Sequence, residues 1–440
     1  MTRARLATLA SLALACTAPE PTAQVPDWLR PAADVPPAPL SQKPGDPQWL
    51  TLSSIAPCDA YLAAAPAAVG RILEWQTCPE GQPGCRALLP EPDSQRAQLF
   101  GGGLDYTLHA GWTASGVQLA IVDHSEREKI ALAPLDGPPY LVLDLANFKG
   151  RCHFLRADFA EASASLTLTE SDGPADSAAI FFAGPLHADP AWHTPAARHD
   201  RVGRVSLSGR SLVLADDAIR RSDPKTAVFT ELARTDSCCA YAVGTSVVFL
   251  SRGQILAAVT PGAAPLVLHQ PEPATIHELH MVGGAFYWTR GVGHWTRGVG
   301  QGPWQIDHVE LWTAPATDEP ARFAARKITD LDLQQTPGQH GGRVAVGSLV
   351  IGGGKVAVSH HHEPTDSSRV IVVDVASGAQ RVWQPGPGAG VSRVVFVSPE
   401  ELAAEVRGSD NHETYKRIRH DTLPVLAPPS ARPQHQPKPK

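Results

Sequence analysis

The apolar positions of this chain occur in short runs and only rarely at helical spacing. From about residue 104 onward, apolar runs are broken by Gly, Pro, Asp and Ser, which is typical of strands joined by turns. Helical spacing is confined to an Ala-rich stretch, Asp59 to Val69, and to residues 216–222, where we expect helices. The pattern therefore predicts an all-β body.

One unit recurs along this body: an apolar strand, a turn and a second apolar strand. The turns fall near residues 136, 173, 209, 262, 317 and 378. Because the turns are tight, the two strands of each unit must be antiparallel.

The strand Val370-Ile371-Val372-Val373 is apolar at every position, whereas an antiparallel sheet with one wet face alternates. Something must therefore cover both of its faces, and neighbouring sheets stacked face to face would do so. This arrangement predicts a β-propeller, and about 40 to 50 residues per blade gives roughly six to eight four-stranded blades. A pair of β-sandwiches and a β-solenoid are the structural alternatives.

The unit RVIVVDVASGAQRVW (369–383) resembles a blade of the Tol-type and WD40-like propellers, in which a strand ending in Val-Asp precedes a short Gly turn. The resemblance covers about residues 100–420, although no Trp-Asp ending or Gly-His opening of the WD40 kind is present. It implies a rigid ring with its variation on loops, and hence a binding or scaffold protein.

The N-terminus predicts export. Arg3 and Arg5 precede an apolar stretch, Leu6 to Ala15, that has the length of a signal peptide core and is too short to span a bilayer. Small residues at Ala13 and Ala15 followed by Cys16 resemble a bacterial lipoprotein signal, which implies diacylation of Cys16. The alternative is an ordinary secretory peptide cut at the same place.

The predicted organisation has five parts. They are a signal peptide (1–15), a Pro-rich tether (16–50), a Cys-containing lead-in (51–100), the propeller (101–423) and a disordered Pro-rich tail (424–440). We expect a protein outside the cytoplasm, in the cell envelope, attached to the membrane through lipid only.

Six further cysteines suit an oxidising compartment and three disulfides. They are Cys58, Cys78, Cys85, Cys152, Cys238 and Cys239. The turn-rich segment between Cys78 and Cys85 favours that pair, which leaves Cys238 and Cys239 to reach Cys58 and Cys152 in either order. The close cysteine pairs of a zinc site are absent.

Charge and motifs exclude several functions. Lys and Arg number 38 against 44 Asp and Glu, which disfavours nucleic-acid binding. His277-Glu278-Leu279-His280 has its histidines three apart in a predicted strand, unlike a zinc protease helix. We expect the run His360-His361-His362 to lie in a polar loop. Asp330 and Asp332 share one face of a predicted strand, and we expect their carboxylates to be solvated at the edge of a sheet. We expect neither a metal nor a cofactor.

The tandem repeat YWTRGVG-HWTRGVG (287–300) supplies the candidate binding residues. Trp and Arg are favoured at binding surfaces, and Trp also stacks on sugars. The candidates are Trp288, on a blade, and Trp295, Arg297 and Trp304 in the added loop. The sequence therefore predicts a non-catalytic, lipid-anchored binding or scaffold protein for a protein or glycan ligand. The alternative function is an extracytoplasmic hydrolase of glycans.

Overall fold

The computed structural model describes most of residues 50–426, which lie within one compact unit of the chain (36–440). The first 49 residues and the last 14 lie outside the described residues. So do the connecting segments 56–57, 66–67, 79–83, 101–105, 114, 125–127, 146–151, 161–162, 171–178, 186–196, 200–203, 209–210, 216–217, 224–228, 235–238, 271–274, 296–303, 333–343, 363–366, 387 and 409–412.

The described strands form seven antiparallel sheets, here called blades 1 to 7. Blade 1 contains β5 (Tyr106–Thr113), β6 (Gly116–Asp123), β7 (Lys129–Pro134) and β8 (Leu141–Leu145), extended at its outer edge by β2 (Cys58–Ala64) and β1 (Leu50–Ile55). Blade 2 contains β9 (Cys152–Ala160), β10 (Ser163–Glu170), β11 (Ala179–Pro185) and β12 (Ala197–His199). Blade 3 contains β13 (Arg204–Ser208), β14 (Ser211–Ala215), β15 (Ile219–Ser222) and β16 (Phe229–Ala233).

The remaining blades repeat the same up-and-down order. Blade 4 contains β17 (Cys239–Val243), β18 (Ser246–Ser251), β19 (Gln254–Ala258) and β20 (Leu266–His269). Blade 5 contains β21 (Thr275–Val282), β22 (Ala285–Trp295), β23 (Trp304–Pro315) and β24 (Arg326–Leu331). Blade 6 contains β25 (Val344–Gly352), β26 (Lys355–His362), β27 (Ser367–Asp374) and β28 (Gln380–Trp383). Blade 7 contains β29 (Gly390–Phe396), β30 (Glu401–Arg407) and β31 (Glu413–Arg419), followed by β4 (Arg86–Pro90) and β3 (Leu73–Thr77).

The first strand of each blade contacts the first strand of the next, in the order β5, β9, β13, β17, β21, β25 and β29, and β29 contacts β5 again. The sheets therefore close into a ring around an axis that these innermost strands surround. This confirms the predicted β-propeller and sets the blade number at seven.

Two chain segments distant in sequence complete blade 7. β4 pairs with β31, for example Leu88 with Tyr415, and β3 pairs with β4. A sheet built from both parts of the chain closes the ring with backbone hydrogen bonds, and so leaves no open strand edge at the seam. The predicted boundary at residue 101 is therefore wrong, because the lead-in already contributes strands to blades 1 and 7.

The apolar strands bury both faces, as predicted from Val370–Val373. Val370 and Val372 pack with Phe396 and Leu402 of blade 7, whereas Ile371 and Val373 pack with Val309 and Leu311 of blade 5. All four valine and isoleucine side chains are at most 2% exposed. Burial between neighbouring sheets thus explains why no alternation survives.

Both helix predictions are wrong. Residues 58–64 form β2, which pairs with β8 from Ala60–Leu145 to Ala64–Leu141, and residues 219–222 form β15. Pairing with β1 and β8 and burial of Ala63 outweigh the helix propensity of alanine. The single α-helix of the described residues, α1 (Asp93–Phe100), follows β4.

The predicted Cys78–Cys85 disulfide is present, and both cysteines are buried. It joins the end of β3 to the start of β4, the hairpin that closes blade 7. At the other end of the chain, Val425 bridges to Arg381 and Leu426 donates its N–H to the Gln380 carbonyl. The first residues of the predicted tail therefore pair with the outer edge of blade 6.

Two glycines allow the innermost strands to approach closely. A Cβ at Gly111 would lie 2.8 Å from Cβ of Phe159, and one at Gly352 would lie 2.8 Å from Cβ of Phe396. In both cases a glycine of one innermost strand faces a phenylalanine on the next. Real Cβ atoms do not approach this closely, so any larger side chain forces the two blades apart.

We expect Gly352→Ala to lower the free energy of unfolding by about 1–3 kcal/mol because it overpacks the seam between blades 6 and 7. The matched control is Gly390→Ala, on the innermost strand of blade 7, where an added Cβ meets nothing within 4 Å. Urea unfolding of both variants measures the difference. Equal stability of the two variants would contradict the close approach.

Candidate functional site

Polar side chains of four blades meet around the ring axis. They are His109 on β5, Arg156 and Asp158 on β9, Tyr241 on β17 and Arg393 on β29, and we call them the channel cluster. The innermost strands of neighbouring blades contact one another, so side chains from different blades can meet near the axis. His109 and Arg393 are hydrogen-bonded although they lie 284 residues apart in sequence.

Arg393 fixes the tautomer of His109. Nη1 of Arg393 lies 2.9 Å from Nδ1 of His109, and a guanidinium can only donate. Nδ1 must therefore accept, and the ring proton of neutral His109 sits on Nε2. Burial, then the charges of Arg393, Arg156 and His124, lowers the pKa of His109 to about 3. The ring is consequently neutral throughout the physiological range.

Arg156 and Asp158 form an ion pair within β9. Nε of Arg156 donates to Oδ1 of Asp158 at 2.9 Å, and Nη2 donates to the same oxygen. The second oxygen, Oδ2, is covered by protein atoms and has no hydrogen-bond donor. Burial raises the pKa of Asp158, and Arg156 and then Arg393 oppose this rise. The pair is close to neutral as a unit.

Tyr241 lies between this pair and blade 5. Its hydroxyl donates to the carbonyl of Leu279 at 3.0 Å. Burial, reinforced by Cys239 and by the carboxylates of Asp158 and Glu278, raises its pKa. The phenol therefore stays protonated. Glu278 in turn lies 3.1 Å from Nε2 of His280 on the same strand.

A second group of polar residues links blades 1 and 2 where the innermost strands begin. Glu128 is 8% exposed, and its Oε2 accepts the N–H of Phe154 at 3.0 Å. Nδ1 of His124 lies 3.4 Å from Oε1 of Glu128, and Nδ1 of His153 lies 3.6 Å from Oε2. The ring of His109 packs edge-on against Phe154 at 4.8 Å, which connects this group to the channel cluster.

Another cleft, of about 370 Å³, lies between blades 6 and 7. Its cations, Lys355 and Arg381, face carboxylates such as Asp374 and Glu400. Arg381 already donates to the carbonyls of Asp421 and Leu423. This cleft thus contains charges of both signs, and much of its hydrogen-bonding capacity serves the local chain.

Trp288 does not reach the surface, so its assignment to ligand binding is wrong. It is 0% exposed and stacks between blades 4 and 5, at 6.3 Å from the Trp312 ring and 6.0 Å from the Phe323 ring. The first copy of the repeated heptapeptide therefore serves the core.

The second copy of the repeat lengthens strands instead of forming only a loop. Trp295 is the last residue of β22 and pairs with Trp304, the first residue of β23. Arg297 lies outside the described residues, as do the side chains of the two tryptophans. A binding role for Trp295, Arg297 and Trp304 stays a prediction.

Other predicted sites have mixed outcomes. His360, His361 and His362 belong to β26, with His360 buried, so the predicted loop is wrong. No group of three metal-ligating side chains is present in the described part of the chain. Cys16 and Cys238 lie outside that part, as do the side chains of Cys58 and Cys152. The lipidation of Cys16 stays a prediction. The disulfides predicted for Cys58, Cys152, Cys238 and Cys239 also stay predictions, and Cys239 is buried on β17.

Sequence reasoning missed the channel cluster. Its members sit in unrelated strands, and no local motif joins them. One signal was available: charged residues interrupt strands that are otherwise apolar, as Arg156 and Asp158 do within CHFLRADFA.

No protein-family model matches the chain, and no curated protein does. Many solved structures are similar to it, including the following three. The extracellular domain of a one component system of B. thetaiotaomicron has 11% identity and a TM-score of 0.35, over 63% of this chain and 35% of that one. Prolyl oligopeptidase B from Galerina marginata has 8% identity and a TM-score of 0.43, over 83% of this chain and 62% of that one. The β-propeller domain of the Trilobed protease from Pyrococcus furiosus has 9% identity and a TM-score of 0.37, over 73% of this chain and 98% of that one.

This chain spans less than two thirds of the length of the first two of these structures. At such similarity they carry no argument about activity, and the class of the protein, a seven-bladed β-propeller, follows from its own sheet topology. Among the described helices, none has both the length and the apolar character needed to cross a bilayer.

We expect the lowered pKa of His109 to make the protein less stable in acid. The unfolded chain binds a proton as the pH falls below about 6.5, whereas folded His109 does not until about pH 3. Urea unfolding should show a loss between pH 7 and pH 5 that is about 2 kcal/mol smaller in His109→Gln than in the parent. An identical loss in both proteins would show that His109 accepts a proton in the folded state.

Proposed function

We propose that this protein is a non-catalytic binding protein that takes its ligand at the propeller channel. The observation that supports the proposal is the channel cluster, in which side chains of blades 1, 2, 4 and 7 converge on one place. Rings of this kind combine a rigid scaffold with a site assembled from many strands.

The protonation states of the cluster favour binding over catalysis. A general base works best with a pKa near the working pH. The pKa of His109, about 3, makes its imidazole a weak base, and the raised pKa of Tyr241 keeps the phenol protonated. Arg393 and His109 therefore offer fixed hydrogen-bond donors, which suit recognition.

The alternative function, hydrolysis of glycans, has one observation in its favour. The carboxylates of Asp158 and Glu278 both contribute to the raised pKa of Tyr241, so both lie near it. Two carboxyl groups are the usual requirement for glycoside hydrolysis. Against it, Oδ1 of Asp158 is held by Arg156 and Oδ2 is covered. Glu278 is engaged by His280. Neither carboxyl group is presented to a substrate in this arrangement.

The binding proposal is tested with a panel of neutral oligosaccharides, amino acids, peptides, carboxylates and phosphates. We expect at least one class to raise the melting temperature of the parent protein and not that of Arg393→Trp, in which the indole fills the channel. Arg407→Trp, on β30 of the same blade and paired with Glu413, is the matched control and should respond like the parent.

The same panel distinguishes the two functions. We expect no new reducing ends from the oligosaccharides. Turnover that is lost in Asp158→Asn would replace the binding proposal with the hydrolase. The binding proposal is overturned if no compound raises the melting temperature of the parent more than that of Arg393→Trp.

The cellular location of the protein is also part of the proposal. The apolar stretch before Cys16 and the Pro-rich segment after it support a lipid-anchored protein outside the cytoplasm, held off the membrane by a tether. The finer likeness to Tol-type and WD40-like propellers is consistent with such a binding or scaffold role.

We expect the mature protein, made in a bacterial host, to begin at Cys16 and to carry a diacylglycerol on its sulfur. Intact-mass measurement and detergent phase partition test this. Cys16→Ser should lose the lipid mass and move to the aqueous phase, and Thr17→Ala should keep both properties. An unmodified Cys16 in the parent would favour the secreted alternative.

A further inference from the structure

Arg393 is the exposed cation of the channel cluster. Its Nη1 donates to His109, which uses one of the five N–H donors of the guanidinium. Among the described residues, no carboxylate forms a salt bridge with Arg393. Its cross-strand partner Glu405 instead accepts hydrogen bonds from Tyr415 and Ser392. The remaining donors of the guanidinium are therefore available to a ligand.

His109 adds a second donor beside the guanidinium. Because Nδ1 accepts from Arg393, Nε2 carries the ring proton. The side chain is partly exposed, and no described residue accepts from Nε2. The hydrogen bond to Arg393 thus holds a neutral donor and a charged donor side by side, on the first strand of blade 1 and the first strand of blade 7.

The charge of the cluster limits what can bind there. Arg156 and Asp158 compensate one another, and His109 and Tyr241 are neutral, so Arg393 carries the uncompensated positive charge among the five members of the channel cluster. The nearby carboxylates of Glu278 and Glu405 are engaged elsewhere, by His280 and by Ser392 and Tyr415. A single negative charge balances that of Arg393. The planar fork of a guanidinium matches the two oxygens of a carboxylate, whereas a doubly charged phosphate would require a second uncompensated cation.

Building on the proposed function, we propose that the channel holds its ligand by a carboxylate group that accepts hydrogen bonds from the free donors of Arg393 and from Nε2–H of His109. Asp158 is a positioning residue in this arrangement, since it compensates the charge of Arg156 and so keeps the excess charge on Arg393. The carboxylate belongs either to a small organic acid or to the C-terminus of a peptide.

Titration calorimetry at constant ionic strength tests this with four probes: propionate, a tripeptide with a free C-terminus, the same tripeptide as its C-terminal amide, and inorganic phosphate. We expect binding of propionate or of the free-acid tripeptide, and whichever binds identifies the source. The amide should not bind. Arg393→Gln should weaken binding at least about tenfold, as expected for hydrogen bonds to a charged group.

Control variants separate the channel from general charge effects. Arg407→Gln removes an exposed arginine of blade 7 that pairs with Glu413, and should bind like the parent. Arg393→Lys keeps the charge but loses the fork, and should fall between the parent and Arg393→Gln. His109→Phe should bind more weakly than the parent because it lacks the Nε2–H donor.

Each contrary result overturns the carboxylate assignment. Phosphate bound more tightly than the carboxylates would do so, as would equal binding of the acid and amide tripeptides. So would affinity unchanged in Arg393→Gln. These outcomes leave the binding function standing if another class in the broader panel responds to Arg393→Trp. Failure of every class in that panel overturns the function itself.

Discussion

Face-to-face burial of neighbouring sheets is the interaction on which this molecule depends. Each central strand sends alternate side chains to the sheet before it and to the sheet after it. On β6, Ala120 and Val122 pack toward blade 2, and Leu119 and Ile121 pack toward blade 7. No blade can bury both faces alone, so the pairing of β4 with β31 that closes the ring stabilises all of them together.

Ring closure also creates the candidate site. His109 and Arg393 lie on the first strands of the first and last blades, and they meet only because the ring is closed. Burial in the channel disfavours the charged forms of His109 and Tyr241, which explains the lowered pKa of His109 and the raised pKa of Tyr241. Fixed donors of this kind are suited to recognition, because their protonation states do not change on binding.

The sequence predicted the architecture through strands such as Val370–Val373, but it misplaced the repeat. The predicted units with turns near residues 136, 262 and 378 are the third and fourth strands of their blades. The unit around residue 173 is instead a second and third strand, and the unit around residue 209 is a first and second strand. Apolar strands and tight turns occur at all three positions within a blade, so local pattern cannot tell them apart. This is why the predicted intervals were irregular and the blade number stayed open.

The sequence by itself determined what depends on neighbouring residues: strands, turns, both-faced burial and the Cys78–Cys85 pair, which a short turn-rich segment holds close. Only the tertiary structure decided what depends on distant partners. It turned Ala-rich residues 58–64 into a strand of blade 1, buried Trp288 between two blades, and brought Arg393 to His109. The physical reason is that a propeller places its sheets by long-range burial, which local propensity does not encode.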